Sequence, residues 1–124
     1  MATNVSVIRA RDFVRATPEG VFDFKRSSKL LGDIAAAAAG LNDCEVVLDT
    51  RKVQSTMSAS DLWLLAARLT EDRKVFGRKT AVLCPAERFE RAAFFSLCAE
   101  NRGLNVRPFV SYEDAIEWLI SDHD

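Results

Sequence analysis

Asp49, Arg51, Ser55, Thr56 and Ser58 fall within one short stretch, VVLDTRKVQSTMSAS, which opens at Val46. A carboxylate, a guanidinium and several hydroxyls gathered in a polar loop suit the capture of an anion or of a partner's carboxylate. Ser58 adds a second chemistry. It sits where a helix begins, and a phosphate there would be favoured by the helix dipole and its free N–H groups. Each residue also has a plainer use. Ser58 with Asp61 three residues on has capping-box spacing, with Asp in place of the usual Glu, so its first reading is a helix cap. Asp49 ends a strand with no second carboxylate placed beside it, which fits bonding to neighbouring backbone N–H groups better than acid or metal chemistry. Arg51 and Lys52 read first as a solvated loop and second as an anion site.

Catalytic and metal signatures point elsewhere. The one histidine, His123, stands next to the C-terminal residue and leaves no Ser-His-Asp set. The glycines form neither a P-loop nor a GxGxxG run, and no carboxylate pair stands at catalytic spacing. Cys44, Cys84 and Cys98 are widely spaced in apolar surroundings, with no CxxC. They read as buried, reduced thiols and not as a zinc site or a disulfide framework. The expectation is a non-enzyme with no cofactor and no metal.

Something must position that loop. Glu45–Asp49 is a short apolar run whose centre, VVL, is apolar on both faces, as in a strand covered on each side by helices. Leu62, Leu65, Ala66 and Leu69 give the buried stripe of the helix that follows. Loop and helix therefore lie at the carboxyl end of a strand, where open α/β sheets place their sites. Thr80–Leu83 (TAVL) and Asn105–Val110 are further strands. A helix from about Ala86 to Arg102 lies between them, with a stripe of Phe89, Ala92, Ala93 and Leu97 widened by Phe94 and Phe95. Gly103 ends it. Ser111 and Asp114 repeat the capping spacing ahead of Ala115, Ile116 and Leu119. By the same logic Arg88 and Tyr112 occupy the next two strand-end loops and join the candidate site.

The first third reads less sharply. Val5–Ala16 is rich in β-branched residues and predicts one extended strand. Thr17–Gly20 (TPEG) is turn chemistry that predicts a hairpin onto Val21–Phe24. Asp23 or Ser27 caps the first helix, which carries Leu30, Leu31, Ile34, Ala35 and Ala38 on one face and stops near Gly40. The order is β-β-α-β-α-β-α-β-α. It predicts one α/β domain over residues 1–124, with a mixed, mostly parallel sheet of four to five strands, about four helices and a frayed tail over 120–124.

Composition sets outer bounds. The 124 residues are 48% hydrophobic and 28% charged, and 17 basic against 18 acidic side chains give a formal charge of −1. That balance argues against a nucleic-acid binder or a polybasic membrane surface. Arg73, Lys74, Arg78 and Lys79 cluster locally, but Glu71 and Asp72 adjoin them, and the better reading is cations at a solvated helix C-terminus. No run approaches the about 18 apolar residues of a membrane span, and the first residues show no signal-peptide pattern. A soluble cytoplasmic protein is expected.

Taken together, RDFVRATPEGVFDF, LLGDIAAAA, VVLDTR, SASDL, KTAVL, ERFERAAFF, ENRGLNVRPF and DAIEWL resemble, in this order, the STAS domains of sulfate transporters and anti-anti-sigma factors. The closer likeness is to the SpoIIAA-like group of small stand-alone bacterial proteins, over nearly the whole chain. The resemblance implies a STAS-like α/β fold that works by binding. In anti-anti-sigma members a serine at the start of the helix after this strand is phosphorylated by a partner kinase, and the alignment places Ser58 there. That serine normally sits in an Asp-Ser-Ser-Gly-Leu-like run; here Met57 precedes Ser58, and Ala59 and Ser60 follow it. A regulatory contact with another protein is the first functional expectation. The alternative is a carrier for a small anionic or apolar ligand or a lipid, since the fold group is also compared with CRAL-TRIO lipid-transfer domains. The two differ in cavity size: a carrier needs an enclosed apolar pocket of roughly 300 Å3 or more. Phe89, Phe94, Phe95 and Trp118 read first as core and second as the lining of such a pocket. Trp63, Leu64, Phe94 and Phe95 exceed what one core face needs, which makes an isologous homodimer a candidate assembly.

Overall fold

The computed structural model describes residues 3–8, 13–39 and 45–121, with 3–8 described at the backbone alone. The helix stop expected at Gly40, the Cys44 thiol, the His123 ring and the end of the expected tail lie outside the described residues.

A five-stranded sheet carries the molecule. From one edge to the other its strands are β1 (Thr3–Ile8), β2 (Phe13–Pro18), β4 (Glu45–Asp49), β6 (Lys79–Leu83) and β7 (Asn105–Phe109). β1 runs antiparallel to β2, and the other neighbours are parallel. The expected strands VVL, TAVL and NVRPF are thus present and parallel. Strands added always toward the same edge, through crossovers of one hand, put every crossover helix on one face. That face holds α1 (Phe24–Ala37), α2 (Ala59–Leu69), the single turn α3 (Arg73–Phe76) and α4 (Phe89–Glu100). The opposite face is left to α5 (Tyr112–Ile120), the helix that follows the last strand.

The hairpin expected at TPEG is corrected. The extended segment Val5–Ala16 is two strands, β1 and β2, paired from Thr3↔Pro18 to Ile8↔Phe13. β2 then has β1 on one edge and β4 on the other, so no edge remains for a strand folding back from TPEG. Gly20 takes a φ of +103°, open to glycine without strain, and turns the chain away. The next strand, β3 (Gly20–Phe22), pairs in parallel with β5 (Val53–Ser55), a strand inside what the sequence suggested was loop. Asp23 is the N-cap of α1, accepting from Arg26 N at 2.8 Å, whereas Ser27 is buried. α4 begins at Phe89, after a 3-10 turn over Ala86–Arg88. It ends with Gly103 at φ +87° and Leu104 N donating to Ala99 O, a Schellman-type stop.

Register explains the two cores. Val14, Val46, Thr80 and Val106 form one row across the sheet toward the helical layer. There they meet Leu30, Leu31 and Ile34 of α1 with Ala38 at its C-cap, Leu65, Ala66 and Leu69 of α2, and Phe95, Cys98 and Ala99 of α4. Each buried Leu or Ile side chain contributes roughly 2 kcal/mol by leaving water. The stripe expected on α4 is therefore rotated: Phe95, Cys98 and Ala99 face inward, while Phe89 and Leu97 are exposed. The next row, Arg15, Val47, Ala81 and Arg107, faces α5. Here Ala115, Trp118 and Leu119 pack on Phe13, Val47 and Ala81. Val46 and Val47 are both fully buried, one under each layer.

Candidate functional site

The carboxyl ends of β4, β6 and β7 release loops from one edge of the sheet, as the sequence anticipated. Parity then divides the candidate residues. Asp49 follows Val47 onto the α5 side. Its carboxylate accepts from Arg51 N (3.1 Å), Arg51 Nε (3.0 Å) and an Arg51 terminal nitrogen (2.9 Å), a forked pair closed over a tight turn. Asp49 is buried; Arg51 is exposed. Burial pushes the Asp49 carboxyl up, but the hydrogen bonds and charge of Arg51, with the charge of Arg15, outweigh it and hold the group below the usual aspartate range. The hydrogen bond and charge of Asp49 raise Arg51 further, against a smaller burial effect. Asp49 is thus a fixed acceptor and does not serve as an acid near neutral pH. Tyr112, at the first turn of α5, lies 5.2 Å beneath the Arg15 guanidinium. Arg15 Nε is buried with no hydrogen-bond partner among the described residues.

Ser55, Thr56, Ser58 and Arg88 lie on the other side, above the helical layer. The hydroxyls are spoken for locally. Ser55 Oγ accepts from Met57 N (3.2 Å), and Thr56 N donates to Phe22 O (3.0 Å), which extends the β3–β5 pairing. Ser58 Oγ accepts from Asp61 N and Asp61 Oδ2 accepts from Ser58 N, both at 3.1 Å. The capping box is complete and Ser58 is exposed. Arg88 donates to Thr50 O at 2.7 Å and so anchors the turn after β4. No hydrogen bond or ion pair among the described residues joins this group to Asp49, Arg51 and Tyr112. The expected single cluster is two clusters, one on each side of the edge.

Three features have a place that the sequence did not fix. Arg91, in the first turn of α4 and three residues after Arg88, donates to Met57 O and reaches Ser55 Oγ; the i, i+3 spacing of the two arginines was the available signal. Arg15 was hidden because only the sheet register brings it to α5. The third is a cavity of about 110 Å3 beneath the loops, between β4, β6 and helices α1, α2 and α4. Leu31, Leu48, Leu65, Val82 and Phe95 form part of its wall, and Arg88 and Arg91 belong to its lining. Cys84 lines it too; burial pushes this thiol up, against a smaller pull from Arg88, so it stays protonated near neutral pH.

The remaining expectations divide. Phe95 and Trp118 are buried, whereas Phe89 and Phe94 are exposed. Phe95 therefore leaves the apolar surplus, and Trp63, Leu64 and Phe94 remain in it. The basic cluster does not crowd one solvated helix end. Lys79 Nζ donates to Trp118 O (2.9 Å) and Ser121 O (2.8 Å) and so caps α5, Arg78 pairs with Glu45 (2.9 Å), and Arg73 donates to Arg102 O (2.9 Å). Cys84 and Cys98 are free and buried. Among the described residues, no His, Cys, Asp and Glu side chains are grouped to hold a metal, and no helix is long and apolar enough to cross a membrane.

No protein-family model and no curated protein sequence matches the chain. Solved structures do. The fold is similar to that of an uncharacterized protein of the DUF3478 family from Shewanella loihica PV-4, whose crystal structure is described as SpoIIAA-like. The TM-score is 0.60 at 14% identity, over 95% of this chain and 92% of that one. The α/β fold is SpoIIAA-like, in agreement with the resemblance of the ordered sequence pieces.

Proposed function

We propose that the chain is a non-catalytic regulatory module that binds another protein through the carboxyl-edge surface around Ser58 and the outer face of α2. The observation that carries this reading is α2 itself. Leu62, Leu65, Ala66 and Leu69 already satisfy the core, yet Trp63 and Leu64 stand 51% and 45% exposed just beyond the Ser58 cap. Exposed aromatic and aliphatic groups beside polar, rigidly held loop atoms are the composition of a protein-contact surface. Arg102 lies 4.6 Å over the Trp63 ring and holds that ring in place ahead of any contact. The SpoIIAA-like fold supports the same reading by analogy. Of the carrier alternative, the lipid half draws less support, because a cavity of about 110 Å3 has no room for a lipid chain.

The capping box gives Ser58 a structural task and leaves its exposed hydroxyl as the candidate phosphoacceptor. Asp is also a good N-cap, so Ser58→Asp keeps the fold while adding charge. Affinity capture from host extract, with wild type, Ser58→Asp and Trp63→Ala compared by quantitative proteomics, tests the proposal. A specific partner whose yield falls with at least one variant supports it. Identical partners at identical yields from all three make this loop structural and move the site elsewhere.

A further inference from the structure

The cavity under the loops has a property the protein-binding reading does not use. Its lining contains two cations, Arg88 and Arg91, and no Asp or Glu. Neither guanidinium forms an ion pair among the described residues. Each is anchored through one terminal nitrogen to neutral oxygens, Arg88 to Thr50 O and Arg91 to Met57 O and Ser55 Oγ. The remaining N–H groups of both forks have no protein acceptor among the described residues. Two held guanidiniums on one cavity, neither of them in an ion pair among the described residues, make a receptor for a planar oxyanion. The rest of the lining is apolar apart from Ser27, Thr50, Ser55 and Cys84.

We infer that this cavity binds a short-chain aliphatic carboxylate, head toward Arg88 and Arg91 and tail among Leu31, Leu65, Val82 and Phe95. Size sets the class. An apolar protein cavity of about 150 Å3 takes a benzene-sized guest, so the 110 Å3 here suits a somewhat smaller tail. A carboxylate lies bidentate on a guanidinium, and the prior anchoring of both arginines lowers the ordering cost of binding. Met57 and Ser55 also line the cavity, so the ligand would brace the loop that presents Ser58.

The test titrates the purified full chain with sodium pentanoate, followed by 1H-15N NMR and calorimetry, with pentan-1-ol, acetate and decanoate as comparisons. Pentanoate should shift Leu31, Val82, Ala92 and Phe95 and bind about tenfold more tightly than pentan-1-ol or acetate, since each of those lacks one half of the recognition. Decanoate should bind more weakly, because its tail exceeds the cavity. The double variant Arg88→Gln with Arg91→Gln should lose about tenfold in affinity. Ala92→Leu fills the cavity from α4 and should abolish binding, and it reports independently if the arginine variant does not fold. Absence of shifts at the cavity residues, equal binding of pentan-1-ol, or tighter binding of decanoate each overturns the assignment. No partner protein is present in the titration, so its failure leaves the protein-binding proposal standing, and the reverse also holds.

Discussion

The two faces of the sheet are held by different physics. On the helical-layer face, several helices enclose Leu30, Leu31, Ile34, Leu69 and Phe76, and dry packing dominates. On the other face a single nine-residue helix must cover the sheet. Its apolar contacts with Phe13, Val47 and Ala81 are supplemented by cations from the strands. Arg15 lies over Tyr112, and Lys79 and Arg107 lie 5.3 and 5.1 Å from the Trp118 ring. Lys79 also supplies the positive charge that α5 lacks in its own last turn. Where one helix cannot enclose a core, charged side chains with long aliphatic stems complete it. The contrast reaches the carboxyl edge: the α5 side ends in a closed Asp49–Arg51 pair, the helical side in a largely apolar cavity lined by two arginines that form no ion pair among the described residues.

Truncation on each face sharpens this contrast most. Ile34→Ala should cost about 3.5 kcal/mol and Leu119→Ala about 2.5, because α5 is free to settle onto a smaller residue while α1 is held by its neighbours. Urea unfolding measures both, and a larger loss from Leu119→Ala would break the comparison. Lys79→Met comes next. It removes the donor to Trp118 O and Ser121 O and should cost about 1.5 kcal/mol. Hydrogen exchange should accelerate in α5 and remain unchanged in α1; uniform acceleration would show that the faces do not open separately.

Smaller effects concern the edge. Ser58→Ala should lose about 1 kcal/mol, and Ser58→Asp close to none, if the capping box is the main structural task of this serine. Thermal melts distinguish the two. For Asp49 the sign follows from its lowered folded-state value. Its contribution is fully present above the ordinary aspartate value of 3.8 and disappears as pH falls through the lower folded-state value. With Arg51 exposed to solvent, the pair is worth under about 1 kcal/mol. Asp49→Asn should therefore lower stability slightly at neutral pH and flatten its acid dependence; an unchanged acid limb in urea titrations would contradict the pairing.

Much of this architecture was readable because it is local. Every residue named in the α2 stripe is buried, and the caps at Asp23, Ser58 and Ser111 all engage backbone N–H groups as their spacing indicated. Misreadings came where local pattern does not select. β1 and β2 pair antiparallel, yet the sequence between them, Arg-Ala-Arg-Asp, carries no Gly, Pro or Asn and only one weak turn former, whereas TPEG carries both Pro and Gly. α4 is apolar on most sides, and its phase was decided by the inward fit of Phe95, Cys98 and Ala99. The edge residues were found because they adjoin strand ends. Their division into two clusters was not, since strand parity says that Asp49 and Val47 share a face but not which helix covers it.

Native mass spectrometry of the protein purified from its own host, wild type beside Leu64→Glu, tests the central claim most directly. It weighs partner, ligand and self-association in one spectrum. The account predicts a complex heavier than the free chain that contains a second, different protein and is lost in Leu64→Glu, whose fold survives because Leu64 is a surface residue. A spectrum showing only the free chain or its homo-oligomer, or the same hetero-complex in both proteins, would contradict it.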